Sequence, residues 1–229
     1  MTLLVSDYDN TFHIKDEDMK ENVKKAALFM KEGLFVIATG RSYDSYMNAK
    51  KQFDIKTNYT IINHGATILK GDEIIFNHPI DNDIKDEIIN LLHLEHTIKI
   101  NCYALTDEVS IEDKDVTKIV LDYDDKDIAF NIFDLIKSKY ADKLKVYLFA
   151  QYNSIEIIAS EVDKAYSIDY IAKIENPEKI YVIGDNHNDY LMIKNYKGSC
   201  THVAIDEVKK IAKKEYQNVS DFINEIMES

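Results

Sequence analysis

The sequence of 229 residues has few of the features that mark secreted, membrane or low-complexity proteins. Its two cysteines, Cys102 and Cys200, exclude a disulfide framework and zinc-ligand spacing, and we predict that both are buried. Two prolines and six glycines indicate no flexible linker. No apolar run approaches the roughly 20 residues of a membrane span, and no signal-peptide pattern opens the chain. We therefore expect a cytoplasmic protein that has no membrane partner.

Positive charge is also scarce. Lysine and arginine total 28 against 41 aspartates and glutamates, so the net charge is −13. Nucleic-acid binding needs clustered cations, and no basic stripe is visible, so we exclude a nucleic-acid partner. An anionic substrate would need local positive charge from a metal ion or from a few well-placed lysines and arginines. The length predicts one large domain, or one domain with an insertion.

Acidic residues, by contrast, stand at the ends of two short apolar runs. The first run ends in Asp7 and Asp9, and the second, far downstream, ends in Asp185 and Asp189. Mg²⁺ prefers oxygen ligands, an aspartate can attack phosphorus, and a neighbouring carboxyl can handle the leaving-group proton. These residues therefore predict a metal site beside a carboxylate nucleophile. The alternative, in so acidic a chain, is a polar turn whose aspartate caps the next helix.

Apolar strands alternate with amphipathic helices in the first and last thirds of the chain, which predicts a parallel sheet with right-handed crossovers. In such a sheet ligands bind beyond the carboxyl ends of the strands, where Asp7, Thr39 and Asp185 all fall. The predicted strands are 3–6, 34–38, 59–63, 179–183 and 203–205, and the predicted helices are 18–32, 43–52, 164–174, 190–195, 206–214 and 219–227.

The middle of the chain has a different pattern. Pairs of extended runs separated by two amphipathic helices predict an antiparallel sheet that is covered on one face. We read residues 68–153 as an inserted cap and residues 1–67 and 154–229 as the core. The predicted fold class is thus α/β, a doubly wound Rossmann-like core with an inserted α+β cap. His93 and His96 do not form a zinc-protease pattern and are expected at a helix end.

Together these motifs resemble those of a known family. The segments Asp7-Tyr-Asp9-Asn-Thr11, Thr39-Gly40-Arg41, Lys164 and Gly184-Asp185-Asn-His-Asn188-Asp189 are similar to the four motifs of the haloacid dehalogenase-like phosphatases, in the same order. The inserted cap resembles that of the type IIB, Cof-like branch. The stretch Asn63-His64-Gly65-Ala66 resembles the Asn-Gly-Ala stretch before that cap, although His64 interrupts it. The resemblance covers essentially the whole chain.

The resemblance implies a role for each matching residue. Asp7 would be the nucleophile and Asp9 the general acid/base. The phosphoryl group would be bound by Thr39, Gly40, Arg41 and Lys164, of which Thr39 and Lys164 also count as catalytic. The Mg²⁺ ligands would be Asp7, the main-chain carbonyl of Asp9 and Asp185, completed or supported by Asn188 and Asp189.

The implied function is that of a Mg²⁺-dependent phosphatase. It would hydrolyse a small phosphorylated metabolite, such as a sugar phosphate, through an aspartyl-phosphate intermediate, as a monomer or homodimer. Two alternatives remain open at this point. One is a phosphoryl transferase of the phosphomannomutase type, and the other is a non-catalytic regulator that binds a phosphorylated ligand on the same fold. Loss of Asp7 or Asp9 would mark the regulator, and both residues are present.

Overall fold

The computed structural model describes residues 1–92 and 97–228, so the pair His93 and His96 lies outside the described residues. Thirteen strands are found in the described part of the chain. They are β1 (Thr2–Asp7), β2 (Gly33–Ala38), β3 (Tyr59–Ile62), β4 (Thr67–Lys70), β5 (Glu73–Asn77), β6 (Thr97–Ala104), β7 (Asp107–Val109), β8 (Lys118–Tyr123), β9 (Leu144–Phe149), β10 (Ser154–Ala159), β11 (Lys179–Gly184), β12 (Ser199–Thr201) and β13 (Glu215–Tyr216).

Eight α-helices lie between these strands or follow them in the same described part. They are α1 (Asp16–Phe29), α2 (Tyr43–Gln52), α3 (Asn82–Leu92), α4 (Lys126–Tyr140), α5 (Lys164–Glu175), α6 (Tyr190–Tyr196), α7 (Asp206–Ile211) and α8 (Val219–Met227). None of the described helices is long and apolar enough to cross a membrane.

An eight-stranded sheet forms the core, in the order β13-β12-β11-β1-β2-β3-β4-β5. The six strands from β13 to β3 are parallel, and the hairpin of β4 and β5 extends the edge in the antiparallel sense. Helices α1, α2 and α8 cover one face, and α5, α6 and α7 cover the other. From Leu3 onward strand β1 is buried between the two apolar layers, with Leu4 on one side and Leu3 and Val5 on the other. The predicted doubly wound α/β core is confirmed.

A second sheet of five antiparallel strands, in the order β7-β6-β8-β10-β9, forms the cap. Helices α3 and α4 pack on one of its faces, where Ile119, Leu121 and Ile155 are buried. Residues at alternate positions of the same strands, such as Lys118 and Val120, point to the opposite face. That opposite face looks down on the carboxyl ends of the core strands.

The observed strand pairing places the boundaries between core and cap at other residues than those predicted from the sequence. The hairpin of β4 and β5, assigned to the cap by the sequence, is hydrogen-bonded to β3 in the core sheet. Strand β10, assigned to the core, lies between β8 and β9 in the cap sheet. We therefore propose that the inserted cap comprises residues 78–163. The sequence misplaces these strands because the alternation of a strand does not specify which sheet supplies its partner.

The two connections between core and cap lie side by side. The carbonyl of Ala66 accepts a hydrogen bond from the backbone N–H of His78, where the chain enters the cap, at 2.9 Å. Gly65 has a φ of 109°, and a Cβ there would overlap the backbone of Asp163, where the chain returns. The short 3-10 turn Asn63–Gly65 thus lies next to both connections between core and cap.

Several predicted elements are wrong in detail, and one of them is α7, which ends at Ile211 rather than at residue 214. Helix α1 ends at Phe29 rather than at residue 32, and β2 begins at Gly33 rather than at residue 34. The predicted strand 203–205 is a loop, and the outer strand is Ser199–Thr201, where Cys200 is the register partner of Gly184 in β11. Three apolar residues in 203–205 gave the misleading signal. Cys102 and Cys200 are both buried, as predicted.

Candidate active site

A buried ion cluster lies at the carboxyl end of β1. The ammonium of Lys164, the first residue of α5, donates hydrogen bonds to an Asp7 oxygen and to Oδ1 of Asp189, the latter at 2.7 Å. Lys164 and Asp189 have no exposed side-chain surface, and Asp7 has little. A lysine so buried requires anionic partners, because the desolvation of an unpaired charge would be prohibitive.

Asp185 joins this cluster from the end of β11. One of its oxygens accepts a hydrogen bond from the hydroxyl of Thr11 at 2.7 Å. Asp189, in the 3-10 turn after β11, accepts the backbone N–H groups of Asp185 and Asn186 on its other oxygen, at 2.9 and 3.1 Å. Both oxygens of Asp189 therefore have donors within the protein.

The pKa shifts of the cluster follow from burial and from the crowding of like charges. Burial and the charge of Asp189 raise the pKa of Asp7 well above its usual value, although Lys164 opposes them. Burial and Asp189 likewise raise the pKa of Asp185 to about 7. Burial acts to lower the pKa of Lys164, but Asp189 and Asp7 outweigh it, so that pKa is raised and the ammonium stays charged. The cluster thus contains three carboxyl groups, those of Asp7, Asp185 and Asp189, and one ammonium, that of Lys164.

The cluster suits a hard divalent cation. Oxygens of Asp7, Asp185 and Asp189 lie within 4.8 Å of one another, and all three residues are buried. Carboxylate oxygens are the preferred ligands of Mg²⁺. Burial and neighbouring negative charge raise the pKa values of Asp7 and Asp185, and a cation would offset that charge. The donor set therefore fits the metal that the sequence implies.

Asp9 lies two residues beyond Asp7 and is half-exposed to the cleft. Its carboxylate accepts two hydrogen bonds from Arg41, from Nε at 2.9 Å and from an Nη atom at 2.7 Å. The guanidinium also lies over the ring of Tyr8, 4.8 Å from its centroid. Asn10, the next residue, adopts a left-handed φ of 58°, as the sequence leads one to expect of an asparagine in a tight turn.

The segment 39–41, which we call the phosphate loop, follows β2. Thr39 is fully buried, and its hydroxyl oxygen accepts the backbone N–H of Arg41 at 3.1 Å. Gly40 leaves room for the ring of His64, which a Cβ at this position would overlap. The loop is therefore closely packed against the 3-10 turn that precedes β4.

A cleft of about 770 Å³ opens above these groups, between the core and the polar face of the cap sheet. Of the predicted site residues, Asp7, Asp9, Gly40, Arg41, Asp185 and Asn188 line it. Thr39, Lys164 and Asp189 lie buried around its floor. The cap contributes further lining residues, including Lys99, Asn101, Tyr103, Lys118, Asp122 and Glu156. All nine predicted residues are thus brought to one place.

Three residues of this region have partners that the sequence does not reveal. Glu156 of β10 accepts hydrogen bonds from His64 at 2.6 Å and from Lys118 of β8 at 3.1 Å. The His64 ring stacks on Tyr147 of β9, with 4.6 Å between centroids, and its Nδ1 accepts the side-chain amide of Asn188 at 3.2 Å. Glu156 alone gives a local signal of a special role, because it is the one charged residue in β10.

Two other histidines have modest roles. His13 lines the cleft, and its Nε2 atom lies 2.7 Å from a carboxylate oxygen of Asp16. His187 is exposed, although it lies inside the acidic motif. Tyr103 faces the cleft, whereas Tyr147 is covered by His64.

Comparison with known proteins places this architecture in a family. A family model described as haloacid dehalogenase-like hydrolase matches residues 4–110 and 96–223. The Mycoplasma genitalium protein named "Putative phosphatase MG125" is 39% identical over 70 residues, which are 30% of this chain. The matched stretch spans 24% of the length of that relative.

Solved structures agree in fold over nearly the whole chain. A Bacillus subtilis haloacid dehalogenase-like hydrolase matches with a TM-score of 0.83 and 16% identity, covering 98% of this chain and 99% of its own. A Plasmodium vivax protein named as a putative HAD/COF-like hydrolase matches with a TM-score of 0.83 and 18% identity, covering 99% and 95%. The chain belongs to the haloacid dehalogenase-like hydrolase family. The resemblance inferred from the four motifs is confirmed.

Proposed function

We propose that the protein is a phosphatase that hydrolyses small phosphate monoesters with Mg²⁺, and that Asp7 forms an aspartyl-phosphate. The observation that carries this proposal is the buried cluster of Asp7, Lys164, Asp185 and Asp189 at the floor of a cleft roofed by the cap. Phosphoryl transfer depends chiefly on positioning and charge neutralisation, and this cluster supplies both. Membership of a hydrolase family and the named phosphatase among its relatives support the same activity.

In the first step an Asp7 oxygen attacks phosphorus, and the bond from phosphorus to the leaving-group oxygen breaks. Asp9 donates a proton to that oxygen, so a neutral alcohol departs. In the second step Asp9 takes a proton from water, which attacks the aspartyl-phosphate and releases inorganic phosphate and free Asp7. Asp9 faces the cleft from beside Asp7, a position suited to both proton transfers.

Other residues position the phosphoryl group. The hydroxyl oxygen of Thr39 already accepts an N–H, so its proton is free to point to a phosphoryl oxygen. Lys164 holds the Asp7 carboxylate in place and adds positive charge at the start of α5. Asp7, Asp185 and the main chain at Asp9 would hold Mg²⁺, which would supply positive charge beside the transferred group. Arg41 would exchange part of its pairing with Asp9 for contact with substrate.

We propose a sugar phosphate or similar hydroxylated metabolite as substrate class. The cap face that looks into the cleft carries amide, hydroxyl and charged side chains, for example Asn101, Tyr103 and Ser154. Such groups suit hydrogen bonding to a polar leaving group, whereas a wholly apolar lining would favour an apolar one.

The test is a panel of phosphate monoesters assayed with purified protein, with and without Mg²⁺, by release of inorganic phosphate. We expect Mg²⁺-dependent release from several sugar phosphates. Release of phosphate to water distinguishes the phosphatase from a phosphoryl transferase, which would pass it to a second metabolite. Tight binding of phosphorylated metabolites without turnover would identify a non-catalytic regulator and contradict the proposal.

A further inference from the structure

The three backbone carbonyls of the phosphate loop all accept hydrogen bonds, but from different parts of the protein. The carbonyl of Thr39 accepts the backbone N–H of His64 at 3.1 Å, and that of Arg41 accepts the backbone N–H of Asn63 at 2.9 Å. Both donors belong to the core. The third carbonyl, that of Gly40, is bonded by the cap.

Lys118, at the start of β8, makes that third contact. Its ammonium donates to the Gly40 carbonyl at 2.7 Å and to Glu156 at 3.1 Å, and it lies 5.0 Å from the centre of the Tyr103 ring. Only 3% of Lys118 is exposed, which is unusual for a lysine and shows that its charge is committed to these partners. Lys118 therefore does not serve as a freely moving cation in the cleft.

Glu156 fixes Lys118 from the cap side and reaches the core as well. It accepts a hydrogen bond from Nε2 of His64, whose ring occupies the space beside Gly40. Burial acts to raise the pKa of Glu156, but Lys118 and His64 outweigh it and lower that pKa to about 2. Lys118 and Glu156 thus hold the phosphate loop from the cap side. Lys118 bonds the carbonyl of Gly40, and Glu156 bonds the ring of His64, which lies beside Gly40.

We propose that Lys118 is a positioning residue that gives the phosphate loop its binding geometry only while the cap lies against the core. This inference rests on the proposed function, because the loop that Lys118 holds carries Thr39 and Arg41. Without Lys118 the Gly40 carbonyl would lose its donor, and the backbone of the loop would be held by its hydrogen bonds to the core alone. Closure of the cap would in this way set the phosphoryl-binding groups.

The first experiment is amide hydrogen exchange on the full chain without substrate, in Lys118→Met. The reporting amides are those of Arg41, Asn63 and His64, whose hydrogen bonds close the loop. We expect them to exchange about tenfold faster, the scale of one charge-assisted hydrogen bond. Lys126→Met is the matched control, because Lys126 is an exposed cap lysine on α4. Lys118→Arg, which keeps charge and donors, should restore slow exchange.

A folded Lys118→Met protein whose loop amides exchange at the wild-type rate would overturn the proposal. If that variant does not fold, Glu156→Gln gives the second reading, because it leaves Lys118 without its anionic partner. Faster loop exchange in Glu156→Gln supports the positioning role, and unchanged exchange contradicts it. Exchange is measured without turnover, so a wild-type protein that hydrolyses no phosphate monoester would refute the proposed function without deciding this question.

Where the wild-type protein is active, kinetics provide an independent reading. Lys118→Met should lower kcat for a small aryl phosphate about tenfold to a hundredfold, because displacement of positioning groups acts on the transition state. KM for the same compound should change less than threefold, and Lys118→Arg should recover most of kcat. A variant in which KM alone rises would show that Lys118 merely binds the leaving group.

Discussion

Lys164 and Asp7 form a hydrogen-bonded ion pair in which the lysine has no exposed side-chain surface. Asp189 bonds the same ammonium, so one cation serves two carboxylates, with Asp185 close by. The ion pair holds the proposed nucleophile in place and opposes the rise in its pKa that burial and the charge of Asp189 cause. Two predictions follow from this pair.

The first concerns the nucleophile. Asp7→Asn keeps the shape of the side chain and removes the attacking charge, so we expect phosphate release to fall by at least about a thousandfold. The measurement is turnover of the best monoester from the substrate panel, with highly purified protein. Asp72→Asn, in the exposed turn between β4 and β5, is the control and should retain activity. Turnover near the wild-type level in Asp7→Asn would rule out the aspartyl-phosphate.

The second concerns Lys164. Lys164→Met leaves Asp7 and Asp189 buried without their cation, and we expect the metal-free protein to lose about 3–5 kcal/mol of its free energy of unfolding. Urea unfolding with and without Mg²⁺ measures it. Mg²⁺ should restore part of the loss, because it supplies positive charge to the same carboxylates. Equal stability of the variant and the wild type in EDTA would show that the ion pair contributes little.

Metal binding should be coupled to proton release. In the metal-free protein burial and Asp189 raise the pKa of Asp185 to about 7, so this carboxyl is partly protonated below that pH. Mg²⁺ needs the ionised form. Its apparent affinity should therefore rise with pH up to about 7 and level off above it. Calorimetry at pH 6 and pH 8, in buffers of different ionisation enthalpy, should detect proton release at the lower pH only.

The same metal should be required for turnover. EDTA should abolish activity and Mg²⁺ restore it, whereas Ca²⁺ should support turnover poorly because of its larger and looser coordination shell. Asp185→Asn should weaken Mg²⁺ binding. Full activity after exhaustive chelation would contradict the metal site.

Low pH should weaken the contact that Glu156 of the cap makes with His64 of the core. The pKa of Glu156 is lowered to about 2 in the folded protein, against an ordinary value of 4.5, because Lys118 and His64 outweigh burial. A depressed carboxyl pKa gives stability that is fully present above the unfolded value and is lost as pH falls toward the folded value. The contribution is on the order of 3 kcal/mol.

The measurement is the difference in free energy of unfolding between the wild type and Glu156→Gln, by urea, from pH 6 down to pH 3. We expect the wild type to be more stable by a constant amount above about pH 5. That advantage should shrink steadily below pH 4.5. A difference that does not vary with pH would show that the charge of Glu156 is not what stabilises the contact.

The absence of a side chain at Gly40 should matter because of His64. A Cβ at Gly40 would overlap the imidazole ring, so Gly40→Ala should cost about 1–3 kcal/mol of stability, as overpacking typically does. In a His64→Ala background the space is free, and the same substitution should cost much less. A double-mutant cycle by urea unfolding measures the coupling, which should exceed about 1 kcal/mol. Additive effects would show that the His64 ring moves aside without loss of stability.

The sequence predicts those site residues whose chemical type fits their position in the predicted secondary structure. Asp7 and Asp185 follow apolar strands directly, and parallel strands bring their carboxyl ends to one edge. Lys164 is different, because most lysines lie at the surface and nothing local marks this one as buried. Only its resemblance to a family motif singled it out.

The remaining contacts could not be predicted because their partners are distant in sequence. Lys118 meets Gly40, which is 78 residues away, and His64 meets Glu156, which is 92 residues away. No periodicity or spacing links such pairs. Strands β4 and β10 were assigned to the wrong sheet for a related reason, since both have ordinary strand patterns and only their pairing decides which sheet they join.

The central place of β1 in the core sheet bears on the order in which the chain is made. β1 pairs with β2 on one side and with β11 on the other, and β11 is synthesised some 170 residues later. A nascent chain that has completed the cap still has one open edge on β1 and lacks Lys164 beside Asp7. The proposed nucleophile therefore meets Lys164 and Asp185 only when the last third of the chain has emerged, so we expect partly made chains to lack the proposed activity.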